Sequence, residues 1–313
     1  MLVINTDEHV ASLSYTRVIE ALRIGHQSGV DAVDRLLISE QGGAAAANHL
    51  LCWPAWQYRD FLGAKLVSVF PSNVPPVPRI STVYVLFDGH NGEALACITG
   101  AEFTLRKTAA DSALGASFLA RLDARVLLML GAGRQAPHQI EALCTVRPSI
   151  DRVMIWNRSV EKARRLAEMT GHGIKATAIT DLEAAARQSD VICCATGSAT
   201  PLIHGSWLAP GTHVDLVGGF TRDMREADDQ AIRRASVFVD SRWFTVGHCG
   251  DIAGPIGSGA MTEQDIRADL FDLCAGRHPG RVGHDEITLF KNGGGGHLDL
   301  MMARLVYEFA PRV

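Results

Sequence analysis

The strongest constraint on this chain is an apolar run that breaks off at a glycine pair. Val126-Leu127-Leu128-Met129-Leu130 leads directly into Gly131-Ala132-Gly133-Arg134-Gln135-Ala136 and then a helix-compatible stretch. Consecutive apolar residues without polar alternation describe a strand buried on both faces, as in a parallel sheet covered by helices. The G-x-G-x-x-A spacing is the strand–turn–helix entry to a dinucleotide-binding unit. Gly131 permits the tight turn, and Gly133 lets a pyrophosphate approach the backbone. Ala136 lets helix and strand pack closely, and the N–H groups of the helix start face the phosphates. A buried strand and turn without a ligand shows the same spacing, so the reading depends on its surroundings.

Those surroundings alternate strand and helix. Strands are predicted at Arg152–Trp156, Val191–Thr196, His213–Val217 and Ser236–Asp240, the last taken as the final strand. Helices are predicted at Ser159–Thr170, with Ser159 as N-cap, and at Leu182–Arg187. The alternation argues for a parallel, Rossmann-type α/β sheet. Upstream the pattern differs. A helix at Ser14–Gly25 precedes strands at Val33–Ile38, Leu50–Trp53 and Ala64–Phe70, with a loose Gly/Ala turn at Gln41–Ala47. Val83–Phe87 and Ala94–Thr99 form a hairpin across Asp88–Gly92. This describes an open, mostly antiparallel α+β domain. Lys107–Ala120 reads as a helix of small residues. At the far end a Gly tract, Gly293–Gly296, precedes a helix whose Leu298, Met301, Leu305 and Phe309 form one apolar stripe, read as core packing. The expected division is 1–121 with 294–313 as a substrate and dimerisation domain, and 122–293 as the dinucleotide domain.

Composition narrows the partners. The 313 residues are 47% hydrophobic and 20% charged, with a formal net charge of −4. That is a globular composition, with no charge excess to suit nucleic acid or an anionic membrane. No apolar run reaches transmembrane length, and MLVINTDEHV lacks the pattern of a signal peptide. The seven cysteines include the adjacent Cys193-Cys194 and no C-x-x-C, so they read as reduced core thiols of a cytoplasmic protein. His248, Cys249 and Asp251 match no metal-ligand spacing and read as a Gly-flanked turn; no metal is expected.

The choice of dinucleotide rests on the end of the second strand. An NAD site usually places a carboxylate there for the ribose 2′-OH. Here the strand ends in Asn157-Arg158-Ser159, three donors suited to a 2′-phosphate, which favours NADP(H) over NAD(H). Thr196-Gly197-Ser198 follows the Val191 strand at the sheet edge where a dinucleotide lies. Thr196 and Ser198 are therefore candidate cofactor contacts, with a plain turn as the other reading.

Four segments in order resemble the ornithine cyclodeaminase/mu-crystallin family. Gly63-Ala64-Lys65-Leu66-Val67-Ser68-Val69-Phe70-Pro71 is similar to its catalytic-lysine strand. Arg106-Lys107-Thr108-Ala109-Ala110-Asp111-Ser112-Ala113 resembles its [RK]-T-A-A-x-S-A helix start. Gly131–Ala136 resembles its dinucleotide loop, and Asp285-Glu286-Ile287-Thr288-Leu289-Phe290-Lys291 its C-terminal signature. The resemblance implies a homodimer whose N-terminal domain binds substrate, with the C-terminal helix returning to that domain. It leaves the reaction open among cyclodeaminases, alanine dehydrogenases, ketimine and pyrroline-carboxylate reductases, and mu-crystallin.

Three departures bear on that choice. Where ornithine cyclodeaminases carry an Asp, the loop Val217-Gly218-Gly219-Phe220-Thr221 has Phe220, which argues against ornithine deamination and for the pyrroline-2-carboxylate/ketimine reductase branch. The position before Thr-Ala-Ala is Lys107, with Arg106 beside it, and either could hold a carboxylate. The usual Ser after Phe-Lys is replaced by Asn292 and glycines.

Imine reduction needs a cation for the carboxylate, a donor for the imine nitrogen and a hydride at the carbon. Lys65 is the candidate donor, its pKa lowered by burial; the strand alone fits equally a lysine whose stem packs and whose head reaches water, and the resemblance favours the donor. Arg35, which resembles the family's carboxylate-binding Arg by its spacing to Gly42-Gly43 and reads equally as a solvated surface Arg, and Lys107, favoured by a helix N-terminus, are the carboxylate candidates. Asp285 could orient a donor or the nicotinamide ribose. The leading reading is an NAD(P)H-dependent reductase of small cyclic 2-imino acids. Its rivals are NAD+-dependent ornithine cyclodeaminase, which calls for an acid near Phe220, and a non-catalytic NADPH-dependent binding protein.

Overall fold

Strands of two kinds build two different sheets. The computed structural model describes residues 1–10, 12–31, 33–40, 48–171 and 173–310. The turn expected at Gln41–Ala47, and with it the Gly42-Gly43 pair, lies outside those residues. The chain falls into two units, Met1–Lys107 with Gly295–Val313 and Thr108–Gly294.

In the first unit the elements run β1 (Leu2–Asn5), α1 (Thr6–His9), α2 (Tyr15–Ser28), β2 (Leu36–Ser39), β3 (His49–Trp56), β4 (Phe61–Val69), β5 (Ile80–Asp88) and β6 (Ala94–Thr99). They form a six-stranded sheet in the order β1-β6-β5-β4-β3-β2. Every pairing is antiparallel except β1 with β6. Strand β1 was not anticipated, because four residues carry too little periodicity to read. Ser14 caps α2 by accepting from Arg17 N.

Helix α3 (Glu102–Leu119) begins five residues before the expected Lys107, so Lys107 sits in its second turn and not at its N-terminus. The boundary between units falls inside this helix, after Lys107, rather than at residue 121. Ala109, Ala110, Ala113 and Ala116 are buried. A Cβ on Gly115 would stand 2.9 Å from the ring of Phe290.

The second unit continues β7 (Val126–Leu130), α4 (Gln135–Val146), β8 (Arg152–Trp156), α5 (Val160–Met169), β9 (Lys175–Ala178), α6 (Leu182–Arg187), β10 (Val191–Cys194), β11 (His213–Leu216), α7 (Asp229–Arg234), β12 (Ser236–Val239), α8 (Arg242–Thr245), α9 (Gly250–Gly257), β13 (Ile266–Asp269), α10 (Leu270–Cys274) and β14 (Thr288–Lys291). All eight strands are parallel, in the order β13-β12-β14-β11-β10-β7-β8-β9. Alternate residues of β7 enter opposite cores: Val126, Leu128 and Leu130 face one, Leu127 and Met129 the other. This is the physical reason for the continuous apolar run.

Ser236–Val239 is not the last strand. β13 and β14 follow, and β14 inserts between β11 and β12. The Gly-flanked turn expected around Asp251 is instead the first turn of α9. Helix α11 (Gly296–Phe309) belongs to the first unit, where it packs on α2, β3 and β4. Among the described residues no helix is long and apolar enough to cross a membrane. All seven cysteines are free thiols.

Candidate functional site

In the first unit strand register gathers one cluster of candidate residues. Lys65 on β4 lies opposite Trp53 on β3 and Tyr84 on β5, so the three side chains share one face. Lys65 is 3% exposed, and its Nζ stands 3.8 Å from the centre of the Trp53 ring. Asp299, in the first turn of α11, forms an ion pair with Lys65 at 2.7 Å through one oxygen and accepts from Lys107 at 2.9 Å on the other. The helix start reaches this position because Gly296 has no side chain: a Cβ there would stand 2.5 Å from Pro54 O.

Two buried ammonium groups share one buried carboxylate. Lys65 is lowered to about 8, by burial first and by Lys107 as well, against the upward pull of Asp299. Burial alone would raise Asp299, but Lys107 and Lys65 outweigh it and hold the carboxyl below its ordinary value. With all three groups charged, the cluster keeps one unbalanced positive charge in a low-dielectric setting, where an anion is strongly attracted.

In the second unit the candidate cofactor residues gather at the carboxyl ends of its parallel strands. Gly131 has φ +101°, and a Cβ there would stand 2.5 Å from Ala195 O, so the turn after β7 requires glycine. Gly133 is different. It is exposed, and its missing Cβ points into open space, so the protein's own packing does not demand glycine there. Arg134 precedes α4 with no side-chain cap, Gln135 is half-buried and Ala136 is buried against the sheet. After β8, Asn157 Nδ2 donates to Ser159 O at 3.0 Å, while the Arg158 and Ser159 side chains are exposed.

The loops after β10 and β11 are tied together by a residue without an assigned role at the sequence level. Glu226 accepts from Thr196 N at 2.7 Å, Thr196 Oγ1 at 2.8 Å and Gly218 N at 2.6 Å. Ser198 Oγ donates to Thr200 O at 2.6 Å. Both candidate hydroxyls therefore donate within the protein. Beneath Glu226, Asp251 accepts from Glu226 N at 2.7 Å and from Lys291 Nζ at 3.2 Å. All three charged side chains are fully buried. Burial lifts Glu226 to about 7 against the pull of Lys291.

An acid near Phe220 is thus present after all, supplied by Glu226 and Asp251 packed against Gly218 and Gly219. Both carboxylates are turned inward, while Phe220 above them is 61% exposed. The only sequence signal was an acid in each of two Gly-containing loops, and it carried no direction.

The Gly tract also has a structural cause. Asp240 accepts from Gly293 N at 2.9 Å, Gly294 N at 2.6 Å and Ser241 N at 2.7 Å, and from Thr245 Oγ1. A Cβ on Gly293 would collide with Thr245, and Gly294 has φ +75°. Asn292 donates to Thr108 O and Ser112 Oγ. The glycines let a buried carboxylate gather backbone N–H groups where the chain leaves β14.

Of the predicted catalytic residues, Lys65 and Lys107 are brought together and Arg35 is not part of their buried cluster; it lies exposed ahead of edge strand β2. Lys107 cannot draw on a helix N-terminus, since it lies in the second turn of α3. Arg106 is engaged elsewhere, donating to Glu102 at 2.7 Å and to Leu13 O at 2.8 Å. Asp285 precedes β14, so it lies at the amino edge of the parallel sheet, opposite the dinucleotide loop. Asp299 had no assigned role, because an acid at the start of an apolar helix reads as a favourable dipole contact. Among the described residues no His, Cys, Asp and Glu side chains are grouped for a metal ion.

With this geometry in hand, comparison with known proteins is informative. The profile of the ornithine cyclodeaminase/mu-crystallin family matches residues 8–312. The chain is 42% identical to the Delta(1)-pyrroline-2-carboxylate reductase of Paracoccus denitrificans over 296 residues, covering 94% of this chain and 92% of that one. Its fold is similar to the Thermococcus litoralis Delta(1)-pyrroline-2-carboxylate reductase in complex with NADH and L-proline. There the TM-score is 0.89 at 30% identity, over 99% of this chain and 97% of that one. It is also similar to an archaeal alanine dehydrogenase dimer with bound NAD, with TM-score 0.88 at 25% identity over 99% and 95% of the two chains.

Proposed function

The chain belongs to the ornithine cyclodeaminase/mu-crystallin family, and from that premise we propose that it is an NAD(P)H-dependent reductase of small cyclic 2-imino acids. Δ1-Pyrroline-2-carboxylate, reduced to proline, is the leading substrate. The observation that carries this reading is the buried, net-positive group of Lys65, Lys107 and Asp299. Its unbalanced charge suits a substrate carboxylate, a role assigned to Lys107. Lys65, held near 8, keeps a proton on the imine nitrogen in this reading and so makes the adjacent carbon electrophilic. Asp299 orients both ammonium groups and favours the charged form of Lys65.

The turn at Gly131, the open space over Gly133 and the uncapped start of α4 fit a dinucleotide pyrophosphate. Arg134, Gln135 and Ala136 would flank it, with Thr196, Ser198 and Phe220 on the neighbouring loops of the same sheet edge. When bound, the nicotinamide supplies the hydride. Asn157, Arg158 and Ser159 favour NADPH over NADH. The reading includes a homodimer. Leu36, Ile38 and Leu50 leave apolar side chains exposed on one face of β2 and β3, and a relative of this fold is an alanine dehydrogenase dimer.

Ornithine deamination is the weaker reading, since Phe220 stands where the family's cyclodeaminases carry an Asp and the nearby acids face inward. A binder of neutral ligands has no need of two buried lysines. The test is NADPH and NADH oxidation with Δ1-pyrroline-2-carboxylate, run beside ammonia release from ornithine with NAD+. Ammonia release without imine reduction overturns the proposal.

Lys65 donates only while protonated, so kcat/KM is expected to fall as pH rises through about 8; a profile flat to pH 10 would remove Lys65 from the donor role. Arg158→Asp is expected to move preference from NADPH toward NADH by about tenfold or more, the size of one charge-assisted contact. Unchanged cofactor preference would sink the 2′-phosphate assignment.

A further inference from the structure

Lys65 has a neighbour whose chemistry remains unused. Tyr84 lies opposite it on β5, 1% exposed, with its ring against Phe103 at 5.6 Å. The ring folds across Gly63: a Cβ on that glycine would stand 2.6 Å from the Tyr84 hydroxyl. The hydroxyl is buried and finds no hydrogen-bond partner among the described residues. The Nε1 of Trp53, on the other side of Lys65, is in the same position.

A buried hydroxyl without a partner is costly, and a phenylalanine would fill the same space without that penalty. Two such donors on one face, beside a cluster with an unbalanced positive charge, define a place short of acceptors. We propose that Tyr84 is a substrate-contacting, specificity-determining residue whose phenol donates a hydrogen bond to the carboxylate of the imino acid; this rests on the reductase reading given above. The ligand class is a small planar monocarboxylate. Lys107 would supply the charge, and Tyr84 the direction that a point charge lacks. Burial first, and Asp299 second, hold the phenol well above its ordinary pKa, so it remains a donor throughout the working pH range.

Tyr84→Phe tests this with little risk of misfolding, because it removes one oxygen that bonds to nothing described in the protein. The probe is pyrrole-2-carboxylate, titrated calorimetrically into the wild type and Y84F, with thermal unfolding of both unliganded proteins. The expected result is a Kd raised about tenfold or more in Y84F, with a Tm equal to or above wild type. A purely structural tyrosine predicts the reverse pattern, a lower Tm and unchanged Kd. A Kd close to wild type, no binding by either protein, or a lowered Tm overturns the assignment. Tight binding by the wild type without turnover of Δ1-pyrroline-2-carboxylate would sink the reductase reading instead, and the Kd ratio would still decide the role of Tyr84.

Discussion

Asp299→Ala is expected to lose both stability and activity, and by more than any exposed substitution could. The variant leaves Lys65 and Lys107 facing each other, 3% exposed each, with no carboxylate between them. Breaking a buried ion pair from one side costs about 3–5 kcal/mol, enough to lower Tm by several degrees or more. The cluster can escape part of this cost by shedding a proton. Lys65 is the group to do so, since Asp299 is what raises it against burial and Lys107.

The pH profile separates this account from simple unfolding. Without Asp299 the basic limb of kcat/KM is expected to move below its wild-type position near 8. For stability the sign follows from the same shift. A lysine whose folded pKa is depressed takes up fewer protons in the folded than in the unfolded state between those two values. Folding is therefore penalised at lower pH, and the penalty is relieved as pH rises. The Tm deficit of D299A should shrink toward high pH. Calorimetry from pH 6 to 9 checks this; a deficit that is small, or that grows with pH, would refute the shared-carboxylate account.

Asp299 also marks a limit of what was legible in the sequence. Val126–Leu130 could be read as a doubly buried strand because its apolar residues are contiguous, and both cores claim them. Lys65 stood out only through the resemblance of its strand to the family's, because a lysine in an apolar strand can equally pack its stem and send its head to water. The partner of a buried charge is another matter. Asp299 lies far along the chain on a helix whose apolar stripe accounts for its packing by itself. Its relation to Lys65 and Lys107 is set by strand register and by the close approach of Gly296 to Pro54, neither of which leaves a periodic trace. The same holds for Asp240, which makes sense of the Gly tract only once Gly293 and Gly294 are seen donating to it. Helix α3 shows the opposite error. Its small residues were visible, but its true start at Glu102 was hidden behind Phe103 and Leu105, and the dipole argument for Lys107 failed with it.

The second large effect is expected for Lys291→Met in the sheet unit. Lys291 is fully buried on β14 and donates to Asp251, which sits beneath Glu226. Burial alone would lower the Lys291 ammonium, but Asp251 and its acidic neighbours hold it above its ordinary pKa. Methionine fills the space of the stem and removes the charge, leaving two carboxylates in one buried site at a cost of about 3–5 kcal/mol.

Glu226 gives that loss a pH signature. In the wild type burial raises it to about 7, and Lys291 is the main group pulling it down, so K291M raises it further. A carboxyl with a raised folded pKa contributes stability that is full below its unfolded value and lost as pH rises through the folded one. The deficit of K291M should therefore be small near pH 5 and grow toward pH 8 and above. Adding Asp251→Asn removes the second charge while keeping an oxygen where Asp251 Oδ1 accepts from Glu226 N and Ala227 N. The double variant should recover most of the lost stability, because a buried pair replaced as a pair is close to neutral. If K291M and D251N losses simply add, measured as Tm at pH 5 and pH 8, the two residues do not form the coupled pair that holds the loops after β10 and β11 in place.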